Sequence, residues 1–148
     1  TLWHTLSLHD ALPIWTNCAV VMDGYIEWQR CGGRKQPHLI RHRDHGLMLA
    51  AGLWDTWTTP EGLALRTFTI ITADAAPGVL EIHDRMPAIL PRDGVDDWLN
   101  PAGPAARQVL GTFQGELDVA AISAAANNVR NNAPEILLPP PEQLDLGL

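Results

Sequence analysis

Apolar positions along this chain come in short runs or alternate with polar ones, a period that favours strands over long helices. Ala19–Met22 is an apolar run, broken at Asp23-Gly24 and resumed by Tyr25-Ile26-Glu27-Trp28, which predicts a strand with a turn or bulge at Asp-Gly. Cys31-Gly32-Gly33-Arg34 predicts a loop and Pro37–Arg41 a strand, and Asp44-His45-Gly46 predicts a turn into an extended Leu47–Leu53. After a second turn over Thr58–Gly62, Leu65–Ala73 is the strongest strand pattern, with Phe68, Ile70 and Ile71 set among threonines. Asp74 is expected to cap a short helix through Leu80 to His83, with Pro77 tolerated in its first turn. Met86–Leu90 should be extended, and Asp93–Leu99, Ala105–Leu110 and the Ala-rich Ala120–Val129 helical. Pro139-Pro140-Pro141 opens a tail expected to be poorly ordered. Close-set strands with helices placed late predict an α+β domain on antiparallel sheet with peripheral helices.

The first fourteen residues fall outside this pattern. Thr5–Ile14 (TLSLHDALPI) matches, residue for residue, what one reading frame of a common short-read library adapter encodes. Taken alone, Leu6–Leu12 would be an amphipathic helix ended by Pro13. The match instead predicts that residues 1–14 are non-native and that native sequence resumes near Trp15 or Thr16. The expected organisation is a partial domain over 15–138, incomplete at its N-terminus, followed by a flexible tail over 139–148.

Composition narrows the setting. The chain has 148 residues, 46% apolar and 18% charged, enough for one core and too apolar for global disorder. No apolar run approaches the ~18 residues of a membrane span, and no basic stretch opens a secretory signal. Two cysteines, Cys18 and Cys31, make neither a disulfide scaffold nor a cysteine-based zinc site. A reducing, cytoplasmic setting is expected. Net charge −7 argues against wholesale nucleic-acid binding, yet five of the ten basic residues, Arg30, Arg34, Lys35, Arg41 and Arg43, fall in one stretch. That stretch reads either as a solvated face or as a local phosphate-facing patch.

Several motifs then carry a resemblance. Cys18 to Trp28 (CAVVMDGYIEW), Lys35-Gln36-Pro37, Ala51-Gly52-Leu53-Trp54, Thr67–Thr72 (TFTIIT) and Ile82–Pro87 (IHDRMP) appear in order. Ile122-Ser123, Asn127 and Asn131 with Pro134 follow. Together they resemble the SRAP family, the SOS-response-associated peptidases that covalently trap abasic sites in single-stranded DNA. The resemblance implies a mixed fold on antiparallel, barrel-like sheet, no cofactor, no metal, and single-stranded DNA with abasic sites as partner. A monomer associated with the bacterial nucleoid is expected. Departures are Val21 for a usual proline, Asp55 for glutamate, Ala76 for asparagine and Ala126 for valine.

The implied chemistry needs an N-terminal cysteine whose amine condenses with the sugar aldehyde and whose thiol closes a thiazolidine ring. Only a 1,2-aminothiol can do this, so neither internal Cys18 nor Cys31 can substitute. The resemblance assigns Glu27 as the catalytic carboxylate that accepts protons near the amine. It assigns His83 to sugar-ring opening and proton transfer, for which an unperturbed pKa of about 6.5 suits both directions. Arg85 is assigned to the DNA backbone, or alternatively to a salt bridge bracing its turn. Trp28, Trp54, Trp57 and Trp98 are read as core residues rather than base-stacking platforms. Lacking the aminothiol, the 148 residues are expected to be inactive, with an N-terminal peptidase role dependent on the same cysteine. Two rival readings remain: a non-enzymatic remnant that binds DNA weakly, and a metal-dependent hydrolase built on His38, His42 and His45.

Overall fold

The computed structural model describes residues 15–100, 109–111 and 113–141. One antiparallel sheet holds β1 (Thr16–Met22), β4 (Met48–Thr58) and β5 (Ala64–Ile70) in the order β1-β4-β5. A second holds β2 (Tyr25–Cys31), β3 (Arg34–His42) and β8 (Leu117–Ala121) in the order β2-β3-β8. A small hairpin pairs β6 (Thr72–Asp74) with β7 (Arg85–Pro87), and α1 spans Val95–Leu99. The α+β expectation holds, with strand dominant. Asp23-Gly24 is more than a bend within one strand, because β1 and β2 belong to different sheets.

β4 sits at the centre of its sheet, and its first five residues, Met48–Gly52, are mostly buried on both faces. Successive side chains on a strand point to opposite sides. Met48 and Ala50 therefore join Ile40, Val79, Met86 and Ile89 in one cluster, while Ala51 joins Ala88, Leu90 and Trp98 in another. Ile40, from β3, ties the second sheet into the first cluster and is fully buried. Ile40→Ala should therefore cost about 2–5 kcal/mol through lost burial and a cavity.

The long strand expected over Leu65–Ala73 is divided at Ile71. Its N–H donates to Ala51 O (2.9 Å) and its carbonyl accepts from Ala88 (2.8 Å), while Ala51 N–H donates to Ala88 O (2.8 Å). This closed set of bonds passes the chain from β5 to β6.

Two expected helices are absent from these elements. Residues 75–84 form stacked turns: Ala76 O accepts from Val79 and Leu80, and Val79 O accepts from Ile82 and His83. Asp74 does not cap them, because its carboxylate is engaged by Arg85. Ala120–Val129 is likewise overridden. β3 offers an open edge, so Leu117–Ala121 pairs with it, Leu39 opposite Ala120. Ser123 Oγ then accepts from Ala125 N–H and starts only a 3-10 turn, Ala124–Asn127. A short segment has little helical stability of its own, and strand pairing wins. Of the expected Ala105–Leu110 helix, residues 105–108 lie outside the described residues, as do 1–14 and 142–148.

Pro37 lies in β3, the middle strand, where a missing N–H leaves a ladder position open. The neighbouring Gln36 fills it. Pro37 O accepts from Ile122 N–H (3.0 Å), and Gln36 Nε2 donates to Ile122 O (2.9 Å), where the Pro37 N–H would otherwise have reached.

Candidate functional site

In the β2–β3 ladder Tyr25 is opposite Ile40, Glu27 opposite His38, and Gln29 opposite Gln36. These side chains share one face, which is core at its Tyr25–Ile40 end. Glu27 stands where that face leaves the core and turns polar. Its Oε1 accepts from Trp28 N–H at 3.0 Å, and that donor points off the free edge of β2. Gln29 Nε2 reaches Glu81 O at 3.0 Å, fastening the 75–84 turns to this face. His83 is two residues beyond that anchor. The fold thus brings the Glu27 strand and the His83 loop to one side.

His83 Nδ1 accepts from Arg85 N–H at 3.0 Å, and an N–H can only donate. The neutral ring is therefore assigned its proton on Nε2, which stays available as a donor. Asp84 Oδ1 lies 3.1 Å from the same Nδ1. Arg85 holds the hairpin: Nη1 donates to Asp74 Oδ1 (2.5 Å) and Nη2 to Thr72 O (2.6 Å). The bracing alternative is thus realised, and it fixes the backbone that orients His83. The Arg85 side chain remains 44% exposed.

Neither cysteine is poised as a nucleophile here. Cys18 lies in β1, where burial pushes its thiol pKa up. Cys31 is exposed at the end of β2, its Sγ 3.4 Å from Gln29 Oε1. Tyr25 has a buried hydroxyl with no partner among the described residues. Burial first, and the charge of Glu27 second, push its pKa up, so the phenol stays neutral.

The three histidines of the metal reading do not converge. His38 and His42 are four residues apart on β3, about 13 Å by strand rise. His38 Nδ1 pairs with Gln36 O (3.1 Å), His42 with Asp44 (2.5 Å), and His45 Nε2 lies 3.6 Å from Asp118. Hydrogen bonds from Gly46 N–H and then His42 pull the Asp44 carboxyl pKa down. His42 and Asp44 line a concavity of about 930 Å³ between the β3–β4 turn and α1. Neither Glu27 nor His83 lines it.

The tryptophans divide. Trp98 is buried, with Nε1 donating to Cys18 O (2.8 Å), as a core residue should be. Trp28 is half-buried and bonds Asn127 Oδ1 (2.7 Å), and Trp54 lies under Arg66 at 6.0 Å. Trp57 is 55% exposed, so the core reading fails there. Sequence reasoning also missed His38, Gln29 and Tyr25 as companions of Glu27. The period of two along β2 carried that signal for Tyr25 and Gln29, but placing His38 needs the β2–β3 register.

Comparison with known proteins adds a family. The sequence model of the SOS response associated peptidase (SRAP) family matches residues 7–129. The chain belongs to the SRAP family. That match begins inside the adapter-like stretch. Abasic site processing protein HMCES of Gallus gallus is 38% identical over 153 residues, covering 88% of this chain and 44% of that protein. YoqW of Bacillus subtilis (strain 168), also named an abasic site processing protein, is 34% identical over 125 residues, covering 81% and 56%. A crystal structure of a Bacteroides thetaiotaomicron protein superposes with TM-score 0.75 at 32% identity, covering 86% of this chain and 58% of that one. One from Bordetella bronchiseptica gives 0.66 at 27%, covering 73% and 55%. The chain spans about half the length of the curated relatives it matches. Among the described residues no helix is long and apolar enough to cross a membrane.

Proposed function

We propose that this SRAP segment is the Glu27- and His83-bearing part of a protein that traps abasic sites in single-stranded DNA as a thiazolidine crosslink. The observation that carries this is the Gln29–Glu81 bond, which sets the His83 loop against the face that holds Glu27. His83, with its proton on Nε2, donates to the sugar ring oxygen as the ring opens to the aldehyde. An N-terminal cysteine amine then adds to C1′, with Glu27 accepting the amine proton, and loss of water gives the imine. The thiol adds to the same carbon and closes the ring, so water is the only leaving group. Cys18 and Cys31 have their nitrogens in amide bonds, so the aminothiol belongs to a segment these 148 residues do not include. Arg85, partly exposed beside His83, offers a positive charge to a backbone phosphate. The same missing cysteine would serve any peptidase role on an N-terminal extension. The proposed setting is a cytoplasmic, nucleoid-associated monomer.

The test joins this chain to the upstream segment of the Bacillus relative, ending residue 1 in a free cysteine, and offers an abasic oligonucleotide. The 148 residues alone are expected to give no heat-stable adduct, and the chimera to give one. Glu27→Gln and His83→Ala in the chimera should each slow adduct formation by about 10²–10⁴-fold. A heat-stable adduct on the unmodified chain, or full rates in both variants, overturns the proposal. Salt-sensitive DNA binding without any chimera adduct would instead mark a non-enzymatic DNA-binding module.

A further inference from the structure

The basic stretch that looked uniform in sequence is divided by the fold. Arg41 and Arg43, at the far end of β3, are neutralised by acidic groups on and beside β8. Arg41 Nε lies 3.2 Å from Asp118 Oδ2, and Arg43 Nη1 lies 2.8 Å from Glu116 Oε2. Arg30, Arg34 and Lys35 sit at the opposite end, around the two-residue turn Gly32-Gly33 that joins β2 to β3. No carboxylate lies within ion-pair distance of any of the three among the described residues, and all three are exposed. Arg30 is opposite Lys35 and Cys31 opposite Arg34 in the ladder, so the tip presents positive charge on both faces of one hairpin.

The same hairpin carries Glu27. Arg34 lies on the Glu27 face, reached from Glu27 through Gln29 and Cys31, four residues or about 13 Å along the strand. The hairpin is also held rigidly. Asn127 takes the Trp28 indole N–H on its Oδ1 (2.7 Å) and donates to Lys35 O (3.2 Å), and Gln36 ties β3 to Ile122 (2.9 Å). A rigid, unpaired cationic tip on an acidic protein concentrates its attraction for polyanions at one place.

We propose that the β2–β3 hairpin tip is a phosphate-binding surface that holds the backbone of the single strand leading to the abasic site. It rests on the reading of Glu27 as the catalytic carboxylate only for which strand is held and where it leads. Arg30, Arg34 and Lys35 take backbone phosphates, while Arg41 and Arg43 do not, because their charge is spent on Asp118 and Glu116.

The experiment uses the full chain and an intact oligodeoxynucleotide with no abasic site, titrated across salt concentrations. Each phosphate contact on a single strand contributes about 0.7 to the slope of log affinity against log salt. Arg30→Gln/Arg34→Gln/Lys35→Gln should therefore flatten the slope by about 2 and weaken low-salt binding at least tenfold. Arg41→Gln/Arg43→Gln/Glu116→Gln/Asp118→Asn removes both ion pairs at constant net charge and should leave the slope unchanged. An unchanged slope in the triple variant, an equal loss in the quadruple variant, or no salt-sensitive binding by the parent overturns the proposal. Because the probe carries no abasic site, failure of the Glu27 and His83 chemistry leaves this result untouched, and the reverse also holds.

Discussion

Gln36 shows how far a residue's job can hide behind an ordinary side chain. In sequence, Lys35-Gln36-Pro37 served as one motif of a family resemblance, and Pro37 opened an expected strand. In the fold the Gln36 amide replaces the N–H that Pro37 lacks, donating to Ile122 O and to Pro37 O, both at 2.9 Å. Gln36→Ala leaves a half-buried carbonyl without its donor and should cost about 1–3 kcal/mol. Gln36→Glu should do at least as much harm, because a carboxylate offers no N–H. Urea unfolding checks both, and a loss under a few tenths of a kcal/mol would show that solvent replaces the bond. His83, by contrast, was named by its motif from the start. What no motif stated is that Arg85 N–H donates to its Nδ1, a contact that depends on a turn bringing residues 83 and 85 together.

Among the elements, strands were legible, and of the short helices Asp93–Leu99 was, its last five residues forming α1. Thr67–Thr72 and Pro37–Arg41 announced themselves through β-branched and alternating residues. The Asp74–His83 and Ala120–Val129 helices failed because tertiary partners outbid local propensity: Arg85 took Asp74, and the β3 edge took Leu117–Ala121. The Gly32-Gly33 loop was placed correctly, and the structure supplies its reason. Both glycines have positive φ, 54° and 84°, which is the two-residue hairpin turn whose twist matches paired strands. Gly33→Val puts a β-branched residue in that left-handed region and should destabilise by about 1–3 kcal/mol. Gly32→Asn should cost well under half as much, since asparagine tolerates the conformation. Thermal unfolding of the two variants side by side decides it; equal losses would mean that the turn type is not what holds the hairpin.

At the scale of the molecule, the pairing of two three-stranded sheets across Ile40, Met48 and Ala50 was not legible, because the register of distant strands leaves no local pattern. One consequence is the burial of the hydroxyl of Tyr25, the chain's single tyrosine, with no partner among the described residues. Its pKa is raised in the folded state by burial and by Glu27, so the folded protein holds that proton to higher pH than the unfolded chain. Stability from this group is fully present below the unfolded value of about 10 and is lost above it, at up to about 1.4 kcal/mol per pH unit. Cys18 acts in the same direction from a lower starting pH, its pKa also being raised by burial. Tyr25→Phe removes the first contribution and leaves the second. The variant should match or exceed the parent's stability at neutral pH, since it deletes an unpaired hydroxyl, and should resist unfolding above pH ~10 better. Phenolate absorbance reports Tyr25 alone and should appear in the parent only as the fold melts. Early titration of the phenol, or a destabilised Tyr25→Phe at neutral pH, would mean that the hydroxyl has a partner and is not sealed in the core between the sheets.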